Sequence, residues 1–129
     1  MKPLVSVIVP IYNAAPYLQE TLDSILASTY RPIEVIMVDD GSHDDSLTIA
    51  QKYCERHVEC QVIAQNNRGV SAARNTAIKA AKGTYILPVD ADDKILCLVG
   101  VEDLKNILAV NIVILGNTIS YPVSNNIRS

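Results

Sequence analysis

Four polar clusters in this chain hold residue types that do chemistry. The densest is "DADD", where Asp90, Asp92 and Asp93 carry three carboxylates. Such charges repel by about 1 kcal/mol per pair in water and about 4 at an intermediate dielectric. A bound Mg²⁺ or Mn²⁺ offsets that repulsion, and phosphate oxygens could complete its shell. Asp90 and Asp92 are separated only by Ala91, so a turn can aim both at one point. The plainer alternative is a solvated acidic turn or helix cap. "VDDGS" adds Asp39 and Asp40. A carboxylate there can accept an N–H from a base ring; otherwise the stretch is an Asp-Gly turn with a helix N-cap at Ser42 or Asp44. Tyr12 in "PIYN" can lie against a flat ring or simply be half-buried. "QNNRG" leads into Arg74 and Asn75, and Arg68 or Arg74 could pair with a phosphate or stay solvated.

No glycine cradle accompanies these groups. The turn after the first apolar run reads "PIYNAAP" where a dinucleotide site would want G-x-G-x-x-G, and no G-x-x-x-x-G-K-[ST] occurs. Phosphates bound here would therefore need a cation.

The elements that must position the clusters alternate. "LVSVIV" (4–9) reads as a buried strand ended by Pro10, and "APYLQETLDSILAS" as a helix with Leu18, Leu22, Ile25 and Leu26 on one face. "IEVIMV" (33–38) is a second strand, followed by a helix with Leu47, Ala50 and Cys54 inward. "QVIA" (61–64) is a short third strand. The next helix sets Val70, Ala73, Ala77 and Ala81 on one side, with Gly83 as its stop. "TYILPV" is a fourth strand, "VEDLKNIL" a short helix, "NIVIL" a fifth strand, and the tail is polar. Glu102 and Asp103 read as a solvated helix start. Strands apolar on both faces and alternating with helices predict an α/β fold: a Rossmann-like, mainly parallel sheet with helices on both faces. Right-handed crossovers put every strand's carboxyl end on one edge, where ligands bind. All four polar clusters fall on that edge.

Composition narrows the classes. The chain has 129 residues, 49% apolar, with a net charge of −3. That fits one globular domain and argues against a nucleic-acid partner, which would need a basic footprint. Cys54, Cys60 and Cys97 are too few and scattered for a disulfide framework or a zinc site, and are expected to be reduced. "MKPLVSVIVP" lacks the features of a signal peptide, and no apolar run is long enough to span a membrane. A cytoplasmic location follows; peripheral attachment to a membrane and a homo-oligomer stay open.

"VSVIVPIYN", "VDDGSHDDS", "NRGVSAARNTAIKAAKGTYI" and "DADD" occur in order and at matching spacing. Together, over residues 4–95, they resemble the N-terminal half of the inverting family 2 glycosyltransferases of GT-A fold. The resemblance implies a nucleotide-sugar donor, commonly a UDP-sugar, a sugar or lipid-linked acceptor, and a role in cell-envelope polysaccharide synthesis. It implies that Pro10 and Tyr12 border the nucleoside. Asp40, with Asp39 beside it, would meet the uracil ring. Asn67, Gly69 and Arg74 would line the path to the diphosphate, and Asp90 would lie near the ribose and the metal. Asp92 would be the chief ligand of Mg²⁺ or Mn²⁺, supported by Asp90 and Asp93.

The chain also departs from the family. The acceptor site and the general base belong to the family's second half, and no residue here matches that base, so the catalytic residue is unassigned. The expectation is a single truncated donor-binding domain over 1–129, divergent over 96–129. Pro88 stands inside strand four where an apolar residue is usual, which puts that strand's pairing in question. The apolar "ILCLVGV" is then expected to lack its normal cover. Two other readings compete: an inactive nucleotide-binding or interaction module, and a receiver-like domain. The latter would want an acidic pair after strand one and an Asp after strand three; the chain has "PIYN" and "QNN" there.

Overall fold

The computed structural model describes residues 3–28 and 30–91, with the backbone of 113–114. Among these residues the chain runs β1 (Val5–Ile11), α1 (Ala15–Leu26), β2 (Ile33–Asp39), α2 (Ser46–Arg56), β3 (Cys60–Ala64), α3 (Val70–Ala80), β4 (Tyr85–Pro88) and β5 (Val113–Ile114). The sheet order is β3-β2-β1-β4-β5. β1 pairs in parallel with β2 and β4, and β2 with β3. The α/β, mainly parallel architecture is therefore as expected. The shared carboxyl edge is not complete: β5 pairs antiparallel with β4, through Tyr85–Ile114 and Ile86–Val113. An antiparallel edge strand on an otherwise parallel sheet needs no crossover helix and is common. The "VEDLKNIL" helix, Glu102 and Asp103, Cys97, and the polar tail lie outside the described residues.

Strand alternation divides the core in two. Val5, Val7, Val9, Val35 and Met37 face α1 and α2, where Leu18, Leu22, Ile25, Ala50 and Tyr53 cover them. Ile8, Ile36, Val38 and Ile86 face α3, which meets them with Ala73 and Ala77. Each fully buried Leu, Ile or Val contributes about 1.5–3 kcal/mol. The alanines let α3 lie close on the sheet. β3 corrects the expectation that every strand is buried on both faces: it is the edge strand, with burial broken along its length. α2 turns further than its leucine predicted, burying Ser46, Ala50 and Tyr53, with Leu47 only partly covered. Val70 is 52% exposed because it opens α3 at the rim, above the sheet. Burial pushes the Cys60 thiol up to about 12, with Cys54 nearby adding to the shift, and both cysteines are free thiols. Among the described residues no helix is long and apolar enough to cross a membrane.

Pro88 turns out to be accommodated. It ends β4 in register with Ile8. The N–H groups of Tyr85 and Val89 both donate to β1, at Leu4 O and Ile8 O. By alternation the position of Pro88 faces away from β1, so its missing N–H removes no bond from the β1–β4 ladder.

Gly83 does not stop α3 in a left-handed cap. The helix ends at Ala80 with Ala81 in extended geometry. Gly83 instead lets the α3–β4 turn press onto β1. Its N–H donates to Ser6 Oγ at 2.8 Å, and Ser6 Oγ donates to Glu34. The Lys82 N–H also donates to the Glu34 carboxylate. A Cβ on Gly83 would lie 2.5 Å from Ser6 Oγ and 2.8 Å from Leu4 O.

Candidate functional site

The carboxyl ends of β1 to β4 gather the sequence clusters on one rim. Pro10, Tyr12, Asp40, Asn67 and Gly69 line a single cleft of about 310 Å³, with Ile11, Val70 and Ala73 forming its apolar wall. The cleft lies over the ends of β1, β2 and β3, while the change of strand direction, the usual crevice in open sheets of this kind, falls beside it between β1 and β4.

Asp40 is the best-held group in the cleft. It follows β2, is 3% exposed, and its N–H donates to Ile11 O. Its Oδ1 accepts from Gln65 Nε2 and from the Arg68 N–H, each at 2.9 Å. Its Oδ2 accepts from the Gly69 N–H at 2.9 Å. Gln65 is itself oriented, because Thr76 Oγ1 donates to its Oε1 at 2.7 Å. Asn67 Nδ2 donates to Asp40 O. Burial opposes the charge on Asp40, but the Gln65, Arg68 and Gly69 donors, with the nearby Arg68 charge, outweigh it and hold the carboxyl below the ordinary carboxylate range.

Gly69 makes this arrangement possible. Its φ of +102° with ψ of 159° turns the chain from the β3–α3 loop into the helix. Space is not the constraint, since a Cβ there would meet nothing within 4 Å. Gly69→Ala should therefore cost about 1–3 kcal/mol through backbone strain alone. A urea midpoint lowered with unchanged slope checks this.

Asp39 behaves differently. It continues the Val35 and Met37 side of β2, toward α1 and α2, and is 3% exposed. Its Oδ2 accepts from the Ser42 N–H, while its Oδ1 is buried with no partner among the described residues. The adjacent aspartates thus point to opposite faces of the sheet.

The first two loops are stitched together. The Asn13 N–H donates to Ser42 Oγ at 2.8 Å, and the His43 N–H donates to Asn13 Oδ1 at 2.7 Å. The N–H of Ala14 donates to Ser46 Oγ, and that of Ala15 to Asp44 Oδ2. Asp44 Oδ1 also accepts from the Ser46 N–H. Asp44 thus serves the starts of both α1 and α2. Burial works against its charge, yet these bonds prevail and lower its pKa. Ser42 is no cap for α2: its hydroxyl serves the first loop. Gln65, Thr76, Asn13 and His43 were not singled out by sequence as holding residues. Gln65 and Asn13 gave a signal, by standing in the polar clusters that follow the third and the first strand.

Arg74 and Asp90 meet each other across the rim, Arg74 Nη2 to Asp90 Oδ1 at 3.1 Å. Asp90 follows β4, and the next carbonyl, Ala91 O, accepts from buried Thr21 Oγ1 at 2.6 Å. A partly exposed carboxylate is a hard oxygen donor suited to Mg²⁺ or Mn²⁺. Asp92 and Asp93 lie outside the described residues, and among the described residues no group of three His, Cys, Asp or Glu could hold a metal ion.

Glycosyl transferase family 2 matches residues 6–96. The chain belongs to that family. The protein named "Uncharacterized glycosyltransferase EpsJ" of Bacillus subtilis is 54% identical over 93 residues, covering 72% of this chain and 27% of EpsJ. Solved structures agree in fold. TarS of S. aureus in complex with UDP superposes with a TM-score of 0.66 at 38% identity, over 73% of this chain and 28% of that one. The mannosyltransferase PcManGT of Pyrobaculum calidifontis, in complex with GDP-Man and Mn²⁺, gives 0.68 at 34% identity, over 73% and 29%. The chain thus spans little more than a quarter of these relatives' lengths. Family membership agrees with the resemblance read from the four motifs, and the fold with the predicted GT-A-type sheet.

Proposed function

We propose that this chain carries the donor-binding part of an inverting glycosyltransferase. It takes a UDP-sugar with Mg²⁺ or Mn²⁺, for transfer to a sugar or lipid-linked acceptor in cell-envelope polysaccharide synthesis. TarS, solved with UDP and with UDP-GlcNAc, supports a uracil donor.

The observation that carries this reading is the state of Asp40. A carboxylate has about four acceptor sites. Protein donors fill both sites of Oδ1 and one of Oδ2. One site is left for the cleft. Uracil presents one ring N–H between two carbonyls and needs one acceptor. Guanine presents a ring N–H beside an amino group and would want both oxygens. Asp40 therefore suits uracil.

In this reading Tyr12 and Pro10 border the nucleoside, and Asn67 and Gly69 line the way to the diphosphate. Arg74 and Asp90 flank the ribose end. Asp92, with Asp90 and Asp93, would hold the cation. When bound, the ion supplies Lewis-acid stabilisation of the leaving diphosphate. Asp40 orients the base, and the Gln65, Arg68 and Gly69 donors keep it ionised so that it can accept the base N–H.

Calorimetry tests the proposal. UDP should bind with Mn²⁺ at least about tenfold more tightly than in EDTA, and at least about tenfold more tightly than GDP, since an unpaired donor costs over 1 kcal/mol. Absence of UDP binding, or binding that ignores both EDTA and Asp92→Ala, would defeat the assignment. Turnover of a UDP-sugar separates an enzyme from an inactive binding module.

A further inference from the structure

We infer that His43 is a positioning residue for the nucleobase, acting through Tyr12. The inference rests on the nucleotide reading of the cleft. Tyr12 lines the cleft yet is 49% exposed. An exposed ring on a loop ordinarily samples several rotamers, and each lost rotamer weakens binding. Here the His43 ring meets it edge to face, with centroids 6.4 Å apart and planes at 77°. That is the favoured geometry for an aromatic pair.

His43 can do this because its loop is fixed to the loop that carries Tyr12. The His43 N–H donates to Asn13 Oδ1, and the Asn13 N–H donates to Ser42 Oγ. Asn13 takes a φ of +51°, a region where asparagine is tolerated better than most residues. Asn13, the residue after Tyr12, is thus tied by one bond to Ser42 and by another to His43 itself. The imidazole sits beside the phenol ring, outside the cleft lining. It orients the platform without touching the ligand.

Uridine is the right probe, because it carries neither phosphate nor any need for a metal. The chain has no Trp but six Tyr, so the part of the tyrosine quench that disappears in Tyr12→Leu reports stacking on Tyr12. His43→Ala should weaken uridine binding about three- to tenfold and reduce the quench. His43→Phe should restore affinity to within about twofold. In a Tyr12→Leu background, His43→Ala should change nothing, whereas a role in loop folding would still show. Equal uridine affinity in His43→Ala and wild type, or the same loss in the Tyr12→Leu background, overturns the inference while leaving the nucleotide reading intact. Failure of the wild type to bind either uridine or UDP overturns both.

Discussion

Asp40→Ala should abolish measurable UDP binding and lower stability by about 2–4 kcal/mol. The change strands three donors at once: Gln65 Nε2 and the N–H groups of Arg68 and Gly69. Each is aimed at a position that is 3% exposed, so water cannot fully replace the carboxylate. The loop that carries Asn67 and Gly69 then loses its anchor, and the cleft loses its shape along with its base acceptor. Asp40→Asn keeps the volume but turns one acceptor into a donor facing another N–H, so it should lie between wild type and alanine. Urea unfolding and UDP calorimetry measure the two effects separately. Acid should act in the same direction. The folded pKa of Asp40 lies below its ordinary value of 3.8, and so does that of Asp44. Their stabilisation is complete above about pH 4 and is lost as pH falls through the lowered values.

Gly83→Ala should cost about 3 kcal/mol, at the upper end for overpacking. Two of the nearest atoms to the added Cβ are backbone, Leu4 O and Ser6 N, which cannot swing aside. The third is Ser6 Oγ, which already accepts the Gly83 N–H and donates to Glu34. Adding Ser6→Ala removes the 2.5 Å contact but not the backbone ones, so rescue should be partial at best. A thermal melt shows this directly. UDP affinity of the folded fraction should stay unchanged, because Gly83 enters β4 at the edge opposite the cleft.

Much of this was readable from residue order. The apolar runs fixed β1, β2 and the helices, and the polar clusters at their ends assembled on one rim because parallel strands share a direction. What was not readable depended on contacts between segments distant in sequence. Gly83 followed a helical pattern and so looked like a cap; its close approach to Ser6, far back in the chain, leaves no local trace. Asp39 and Asp40 look equivalent in "VDDGS", yet strand alternation sends one to each face. The direction of β5 depends on a connection that periodicity does not describe. The hold of Gln65 on Asp40 needs Thr76 from the next helix, and the pairing of Arg74 with Asp90 joins α3 to the end of β4.

The strand order has one more consequence. Residues following β2 and β3 hold Asp40 and its loop, while Asp90 follows β4, with β1 between them. The group proposed to meet the base and the group proposed to lie near the ribose and metal are therefore set roughly 10 Å apart, two strand spacings, by the backbone ladders. The sheet acts as a ruler laid under the nucleotide. In the proposed reading, recognition of the base and the hold on the ribose and metal become separable traits: exchanges around Asp40 should retune the first and exchanges at Asp90 the second.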